Sequence, residues 1–76
     1  MAKQTAQRTY AMTDKYDGQG TKFTFHAKDQ KDADEKAQRW NNRHGFCDAA
    51  GWGYHIAVEA TESEQAWATN DEYVSR

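Results

Sequence analysis

The sequence predicts a small α+β domain in which one helix packs on one face of a single antiparallel sheet of three or four strands. Two alternating segments separated by glycines predict a β-hairpin. One amphipathic segment with clear end signals predicts a helix, and a third alternating segment follows it. The expected order is therefore ββαβ(β), and 76 residues suffice for one domain, 1–76.

The hairpin is predicted from the period-2 alternation of its strands. Tyr10 and Met12 are expected on the buried side of the first strand. Phe23, Phe25 and Ala27 are expected on the same side of the second strand. Asp17-Gly18-Gln19-Gly20 lies between the strands, and its glycines supply the positive φ that a tight turn needs.

The helix is predicted over residues 30–44. Asp29 or Asp32 can cap its N-terminus, and Gly45 suits the position after its C-terminus. Its apolar stripe, at i, i+4, i+7 and i+11, consists of Ala33, Ala37, Trp40 and His44. This stripe is expected to face the sheet.

A third strand is predicted after a connection of small residues over 46–53. Phe46 and Trp52 are expected to anchor that connection. The alternation of the strand places its larger apolar side chains inward, namely Tyr54, Ile56 and Val58. The uncovered face of the sheet would then carry Thr9, Ala11, Thr13, Thr24, His26, His55, Ala57 and Glu59. We interpret this face as solvated, with a docking platform for a partner or a second copy as the alternative.

Residues 61–70 allow two structures. A hairpin loop over 61–64 would place Trp67 opposite Val58 in a fourth strand, with Trp67 buried. The Thr61-x-x-Glu64 pattern is instead typical of a capping box that begins a short helix. We favour the strand, because helices shorter than three turns are marginal. Fraying is expected within 1–7 and 71–76, where the chain is polar.

Charge is distributed unevenly along the chain. The net charge is −2, which argues against a general polyanion binder. Residues 1–46 carry a net +3 and residues 47–76 a net −5. The acidic half offers a candidate surface for a basic partner, formed by Glu59, Glu62, Glu64, Asp71 and Glu72. The basic alternative, suited to nucleic acid, is formed by Lys22, Lys28, Arg39 and Arg43.

Chemistry-bearing motifs are sparse. His44-x-x-Cys47-Asp48, with His55 and His26 elsewhere, falls short of the four paired ligands of a structural zinc site, so neither metal nor cofactor is expected. Cys47 with His44 or His55 could form a nucleophile–base pair, but no phosphate loop, oxyanion-hole signal or other catalytic motif accompanies it. We expect no catalytic residues and no enzyme.

Segments that would direct the chain out of the cytoplasm are not recognised. No stretch approaches the roughly 18 apolar residues of a membrane span, and the N-terminus does not resemble a signal peptide. A single cysteine forms no internal disulfide, which favours a reducing, intracellular location.

The layout resembles that of a family of inhibitors. A short strand and a glycine turn precede Thr21-Lys22-Phe23-Thr24-Phe25-His26-Ala27, which leads through Asp29 into Ala33-x-x-x-Ala37-x-x-Trp40. Over residues 8–67 this arrangement resembles the small ββαβ(β) anti-CRISPR proteins of bacteriophages and mobile elements. The resemblance implies a non-enzymatic viral protein, in the cytoplasm of a bacterial host, that docks on a CRISPR–Cas effector. Such a protein blocks DNA binding, nuclease recruitment or assembly.

Two other functions remain open from the residues alone. One is a small nucleic-acid-binding module that uses the basic set. The other is a self-associating domain, for example a homodimer, whose uncovered sheet face pairs with itself. The layout carries no family motif, so no functional residue is transferred from the resemblance.

Overall fold

The computed structural model describes residues 7–16 and 20–75. Its regular elements are β1 (Arg8–Asp14), β2 (Thr21–Ala27), α1 (Gln30–His44) and β3 (His55–Glu59). Within these ranges the strands form one antiparallel sheet in the order β2-β1-β3, and α1 packs against it. The α+β class is confirmed. Three short 3-10 turns complete the described chain, Asp48–Ala50, Glu64–Ala66 and Asp71–Val74. The predicted turn residues 17–19, residues 1–6 and Arg76 lie outside the described ranges.

The core lies between the sheet and α1 and contains most of the predicted residues. Those that are buried as expected are Tyr10, Met12, Phe23, Phe25, Ala27, Ala33, Ala37 and Trp40. The last residue of the predicted stripe, His44, is exposed instead. It ends the helix, where its ring lies 4.3 Å from that of Trp40 and its outer side meets solvent.

Both ends of α1 follow the predicted capping chemistry. Asp29 is the N-cap, and its carboxylate accepts a hydrogen bond from the backbone N–H of Asp32 at 2.9 Å. Gly45 ends the helix with φ of 75°, in the left-handed region that favours glycine. Asp32 accepts from the backbone N–H of Lys28 at 3.0 Å, which lowers the pKa of its carboxyl group. The helix therefore has the predicted bounds.

The inward side of β3 was predicted wrongly. Met12 pairs with Ala57 and Asp14 with His55, so His55 and Ala57 face α1 and are buried. Ile56 and Val58 point to the other side and are 36% and 37% exposed. The small side chain of Ala57 lets the alanines of α1 approach the sheet closely. His55 is held by hydrogen bonds, from Asn41 to its backbone and from its ring to the carbonyl of Gly53, and a pattern of hydrophobic residues does not reveal them. Tyr54 precedes the strand and is half-buried.

The expected composition of the sheet face turned away from α1 changes accordingly. His55 and Ala57 belong to the helix side, as does Glu59, which pairs with the inward residue Tyr10. Ile56 and Val58 take their place on the far side.

The favoured fourth strand is not formed within the described chain. The capping box is formed instead: the N–H of Thr61 donates to Glu64 at 2.9 Å, and the N–H of Glu64 donates to Thr61 Oγ1 at 3.2 Å. A 3-10 turn follows, and Trp67 is 45% exposed. A strand opposite Val58 is excluded because side chains of α1 occupy the outer edge of β3. Thr69 makes one isolated parallel bridge, to Thr24.

Residues 60–68 cross the sheet on the side away from α1. Ala60 donates to the carbonyl of Thr9 at 3.1 Å, and Thr24 Oγ1 donates to the carbonyl of Ala68 at 3.4 Å. Ala11 and Thr24, at the centre of that side, are completely buried. The face expected to be uncovered is therefore closed at its centre by the chain itself.

The connection over 46–53 is anchored at one of its two predicted positions. Phe46 is half-buried, with its ring 5.7 Å from that of Trp40. Trp52 is 62% exposed, and its ring stands edge-to-face with that of Phe46 at a centroid distance of 6.1 Å. Gly53, at φ of 78°, lies so close that a Cβ there would come within 2.8 Å of the Phe46 ring. The tight backbone at Gly53 directs the chain past Phe46 and leaves Trp52 outside.

The C-terminal segment is packed onto the core. Val74 in the Asp71–Val74 turn is 1% exposed and belongs to the hydrophobic core. The ring of Tyr73 stands edge-on to Phe23 at 5.0 Å, and Arg43 donates a hydrogen bond to the carbonyl of Tyr73. Residues 71–74 thus form an ordered wall beside β2 and α1, where fraying was expected.

Candidate functional site

The five candidate acidic residues do not form one ridge. Glu64 accepts a hydrogen bond from the hydroxyl of Thr21, at one end of β2. Asp71 accepts from the backbone N–H of His26 at 2.6 Å, near the other end. Five residues of extended chain separate those anchors, about 16 Å. The candidate acidic surface is therefore divided between two places.

Internal partners account for three of these carboxylates. Glu59 pairs with Arg8 at 3.5 Å. Bonds from the Thr21 hydroxyl and then the Thr61 N–H lower the pKa of Glu64. Burial opposes the charge of Asp71, but hydrogen bonds from His26 outweigh it and lower the pKa of that carboxyl group. These three carboxylates therefore make interactions within the fold, which leaves them less available to a partner.

The remaining two acids, Glu62 and Glu72, are exposed and make no side-chain hydrogen bond or ion pair within residues 7–16 and 20–75. Glu62 lies in the segment that crosses the sheet, and Glu72 lies in the C-terminal turn. Glu62 is thus the acid best placed to meet a partner beside the sheet.

Exposed apolar side chains that the sequence did not indicate lie on the same side of the sheet as the segment that carries Glu62. Ile56 and Val58 project from β3 on the side away from α1, and Trp67 is carried by the segment that crosses that side. We call this surface the distal face, formed by Ile56, Val58, Glu62, Glu64 and Trp67. It combines large exposed apolar groups with two carboxylates.

The sheet edges near the distal face are closed to strand addition. On β3, Asn41 bonds both backbone groups of His55, and Gln30 donates to the carbonyl of Ala57 at 3.0 Å. On β2, the N–H of Asn70 donates to the carbonyl of Thr24 at 2.8 Å. Edge groups satisfied in this way offer little to an added strand. A partner would therefore bind through side chains.

The four candidate basic residues are likewise separated, but two of them line the same cavity. Lys22 and Arg43 line one cavity of about 490 Å³ between β2, the end of α1 and the Asp71–Val74 turn. Lys28 precedes the start of α1, and Arg39 projects from its exposed side. Neither of the latter two lines the cavity.

The cavity has aromatic walls and a charged mouth. Its lining residues are Lys22, Phe23, Trp40, Arg43, His44, Glu72 and Tyr73. Trp40 and Phe23 are almost completely buried, whereas Tyr73 is about half exposed. The sequence predicts Trp40 in the core but gives no indication of Tyr73, because the Asp71–Val74 turn has no strong local signal.

A β-bulge directs Lys22 to this cavity. Met12 pairs with Phe23 and Thr13 pairs with Thr21, so Lys22 is the extra residue of β2. A bulge re-aims the side chain of the extra residue and inverts the alternation beyond it. Thr21 consequently lies with Thr13 on the distal side, where it reaches Glu64.

The histidines and the cysteine do not assemble a metal or nucleophile site in the part of the chain that is described. No three His, Cys, Asp or Glu side chains there are placed to hold a metal ion. Cys47 is exposed. His44 Nδ1 bonds the carbonyl of Trp40 at 3.0 Å, and His55 Nδ1 bonds that of Gly53 at 2.8 Å. Neither imidazole is hydrogen-bonded to Cys47.

Comparisons with protein-family models, curated proteins and solved structures found no match to this chain. In the described residues, no helix has the length and apolar character needed to cross a bilayer.

Proposed function

We propose that this chain is a non-catalytic protein-binding inhibitor of the anti-CRISPR type. On this proposal it docks through the distal face on a CRISPR–Cas effector in a bacterial cytoplasm, and thereby blocks DNA binding or nuclease recruitment. The observation that carries the proposal is the exposure of Trp67, Ile56 and Val58 on the side of the sheet turned away from α1, where Glu62 and Glu64 belong to the same crossing segment as Trp67.

The apolar part of the distal face supplies the affinity in this proposal. Tryptophan is enriched among residues that dominate binding energy, because it buries a large area against a partner. Each Å² of apolar surface that a partner removes from water contributes about 25 cal/mol before the costs of association. Trp67 is about half exposed, and Ile56 and Val58 are each about one-third exposed, so all three have area left to bury.

Glu62 and Glu64, which we call the acidic rim, supply the selectivity for a basic partner in this proposal. Glu62 has no internal partner among the described residues, and Glu64 stands in the same turn. Carboxylates beside an apolar centre complement a protein surface that carries arginine and lysine, such as a channel that holds DNA. A protein that covers such a channel competes with DNA without being a nucleic-acid binder itself.

The proposal is tested by titrating the nuclease-treated chain into purified CRISPR–Cas effectors of several types, in moderate salt. We expect a stoichiometric complex with one effector and loss of its DNA binding or cleavage. Binding by the untreated chain that is absent after nuclease treatment would contradict the proposal and favour a nucleic-acid module. No complex with any effector would also contradict it.

Self-association through the distal face is examined in the same preparation by sedimentation velocity. A monomer at all concentrations is the expected result. A mass that rises with concentration and returns to the monomer value in Trp67→Ala would assign the distal face to a homodimer instead, against the proposal.

A further inference from the structure

We infer that the cavity between β2, the end of α1 and the Asp71–Val74 turn binds a ligand that combines a planar aromatic ring with a phosphate, as a nucleoside monophosphate does. This site lies apart from the distal face. The inference goes beyond the proposed function and does not rest on it.

The shape of the cavity suits a flat ring. Phe23 lies at 62° to Trp40 with centroids 5.8 Å apart, and Tyr73 lies at 84° to Phe23 with centroids 5.0 Å apart. Tyr73 is the exposed ring of this corner, so a ligand can stack on Tyr73, whereas Phe23 and Trp40 are almost completely buried and close the cavity behind it. A volume of about 490 Å³ exceeds what one partner side chain fills and lies in the range of small-molecule sites.

The charge at the mouth of the cavity suits a phosphate. Lys22 makes no ion pair in the described chain, whereas Lys15, Lys31 and Lys36 each pair with a carboxylate. Its place in the bulge aims it at the cavity. The ammonium is therefore available to a ligand.

Arg43 supplies the second cation. Its bond to the carbonyl of Tyr73 fixes the guanidinium beside the aromatic wall. A guanidinium has five donors in a planar fork that matches phosphate oxygens. The imidazole of His44 adds a third nitrogen-bearing group to the lining.

Glu72 is the one acidic residue among the described residues that line the cavity. The described lining thus holds two cationic side chains, Lys22 and Arg43, and this one carboxylate. A carboxylate only accepts hydrogen bonds, so it suits the hydroxyls of a sugar or an amino group of a base. A ring, a donor group and a phosphate are together the parts of a nucleotide.

The test is a titration of the whole chain, labelled with ¹⁵N, with adenosine monophosphate and separately with adenosine. The indole N–H of Trp40 and the amides of residues 71–74 report on the cavity. We expect saturable shifts there with the monophosphate at about millimolar concentration, and binding about tenfold weaker for adenosine. Tenfold is the factor that one charge-assisted hydrogen bond of about 1.5 kcal/mol provides.

Lys22→Gln is the decisive variant, and Lys31→Gln is its matched control. Lys31 is exposed on α1 and does not line the cavity. Lys22→Gln should weaken the monophosphate about tenfold and leave adenosine unchanged, whereas Lys31→Gln should change neither. Amide spectra of both variants establish that the fold is intact.

A single-stranded oligonucleotide and an acidic peptide with one aromatic residue complete the set of probes. Saturable binding of the oligonucleotide at the same amides would support the inference and indicate that the bound nucleotide is part of a nucleic-acid chain. Shifts produced by the peptide but not by the monophosphate would overturn it. Equal binding of adenosine and the monophosphate, or shifts outside the cavity, would overturn it as well.

Discussion

The side-chain amide of Asn41 pairs with the backbone of His55 as a neighbouring strand would. Asn41 Nδ2 donates to the carbonyl of His55 at 2.8 Å, and the N–H of His55 donates to Asn41 Oδ1 at 2.9 Å. Asn41 also donates to the carbonyl of Ala37 at 2.9 Å and is completely buried. This arrangement closes one edge of the sheet and ties α1 to β3.

Replacing Asn41 by alanine should destabilise the protein by about 2–4 kcal/mol, because it leaves buried backbone groups of His55 without partners. The exposed neighbour Asn42→Ala is the control and should stay within about 0.5 kcal/mol of the parent. Denaturant unfolding of both variants measures the difference. Equal stabilities would show that the Asn41 contacts contribute nothing.

Thr61→Ala should cost about 0.5–2 kcal/mol, because the capping box at the start of the Glu64–Ala66 turn loses its hydroxyl acceptor. Thr61→Ser keeps that hydroxyl and should retain most of the stability. Thermal unfolding compares the two substitutions. A serine variant as unstable as the alanine variant would argue against the capping box.

Asp71 should contribute stability at neutral pH that is lost in acid. Its pKa is below the ordinary value of 3.8 in the folded chain, so its stabilising effect is complete above that value. The effect is lost as the pH falls through 3.8 toward the lower folded value. Asp71→Asn should therefore lower stability at pH 7 and have a smaller effect near pH 3. Unfolding curves at both pH values test this, and a pH-independent difference would contradict it.

Val74→Ala should be more destabilising than Val58→Ala, although both remove the same atoms. Val74 is 1% exposed and Val58 37% exposed. Removing two buried carbons costs about 1.5 kcal/mol or more, with a further cost for the cavity that remains. Denaturant unfolding of the two variants makes the comparison. Similar effects would mean that the Asp71–Val74 turn is not packed as described.

The hairpin and the helix could be predicted because their signals are local. Tyr10 and Met12 alternate cleanly, and Asp29 and Gly45 mark the helix ends within a few residues of sequence. The side of β3 that faces the helix could not be predicted in this way. Hydrophobic alternation favours Ile56, but the backbone of His55 is bonded by Asn41 of α1 and its ring lies 4.0 Å from Asp14 of β1, both far away in sequence.

Residues 61–70 illustrate the same limit. Both the capping box and a fourth strand fit the local sequence. The choice depends on Asn41 and Gln30, which occupy the edge that the strand would need. Those side chains are twenty or more residues away, so no local pattern reveals them.

The sequence indicated which charged residues could bind a partner, but not which of them lie together on one surface. Lys22 and Arg43 were both identified from charge, but their meeting depends on a bulge in β2 and on Tyr73 in the C-terminal turn. Trp67 was expected to be buried, and its exposure follows from the path of the chain across the sheet. The functional surfaces therefore arise from tertiary contacts.

The most direct test of the distal face compares Trp67→Ala with Trp52→Ala in binding to the effector that forms a complex. Both tryptophans are exposed, but Trp52 packs beside Phe46 on the helix side. Glu62→Lys, with Glu35→Lys on α1 as its control, tests the acidic rim in the same assay. The account predicts that Trp67→Ala weakens binding by about thirtyfold, the factor expected of a residue worth about 2 kcal/mol, and that Trp52→Ala leaves it nearly unchanged. An unchanged affinity for Trp67→Ala, or an equal loss for both tryptophan variants, would contradict it.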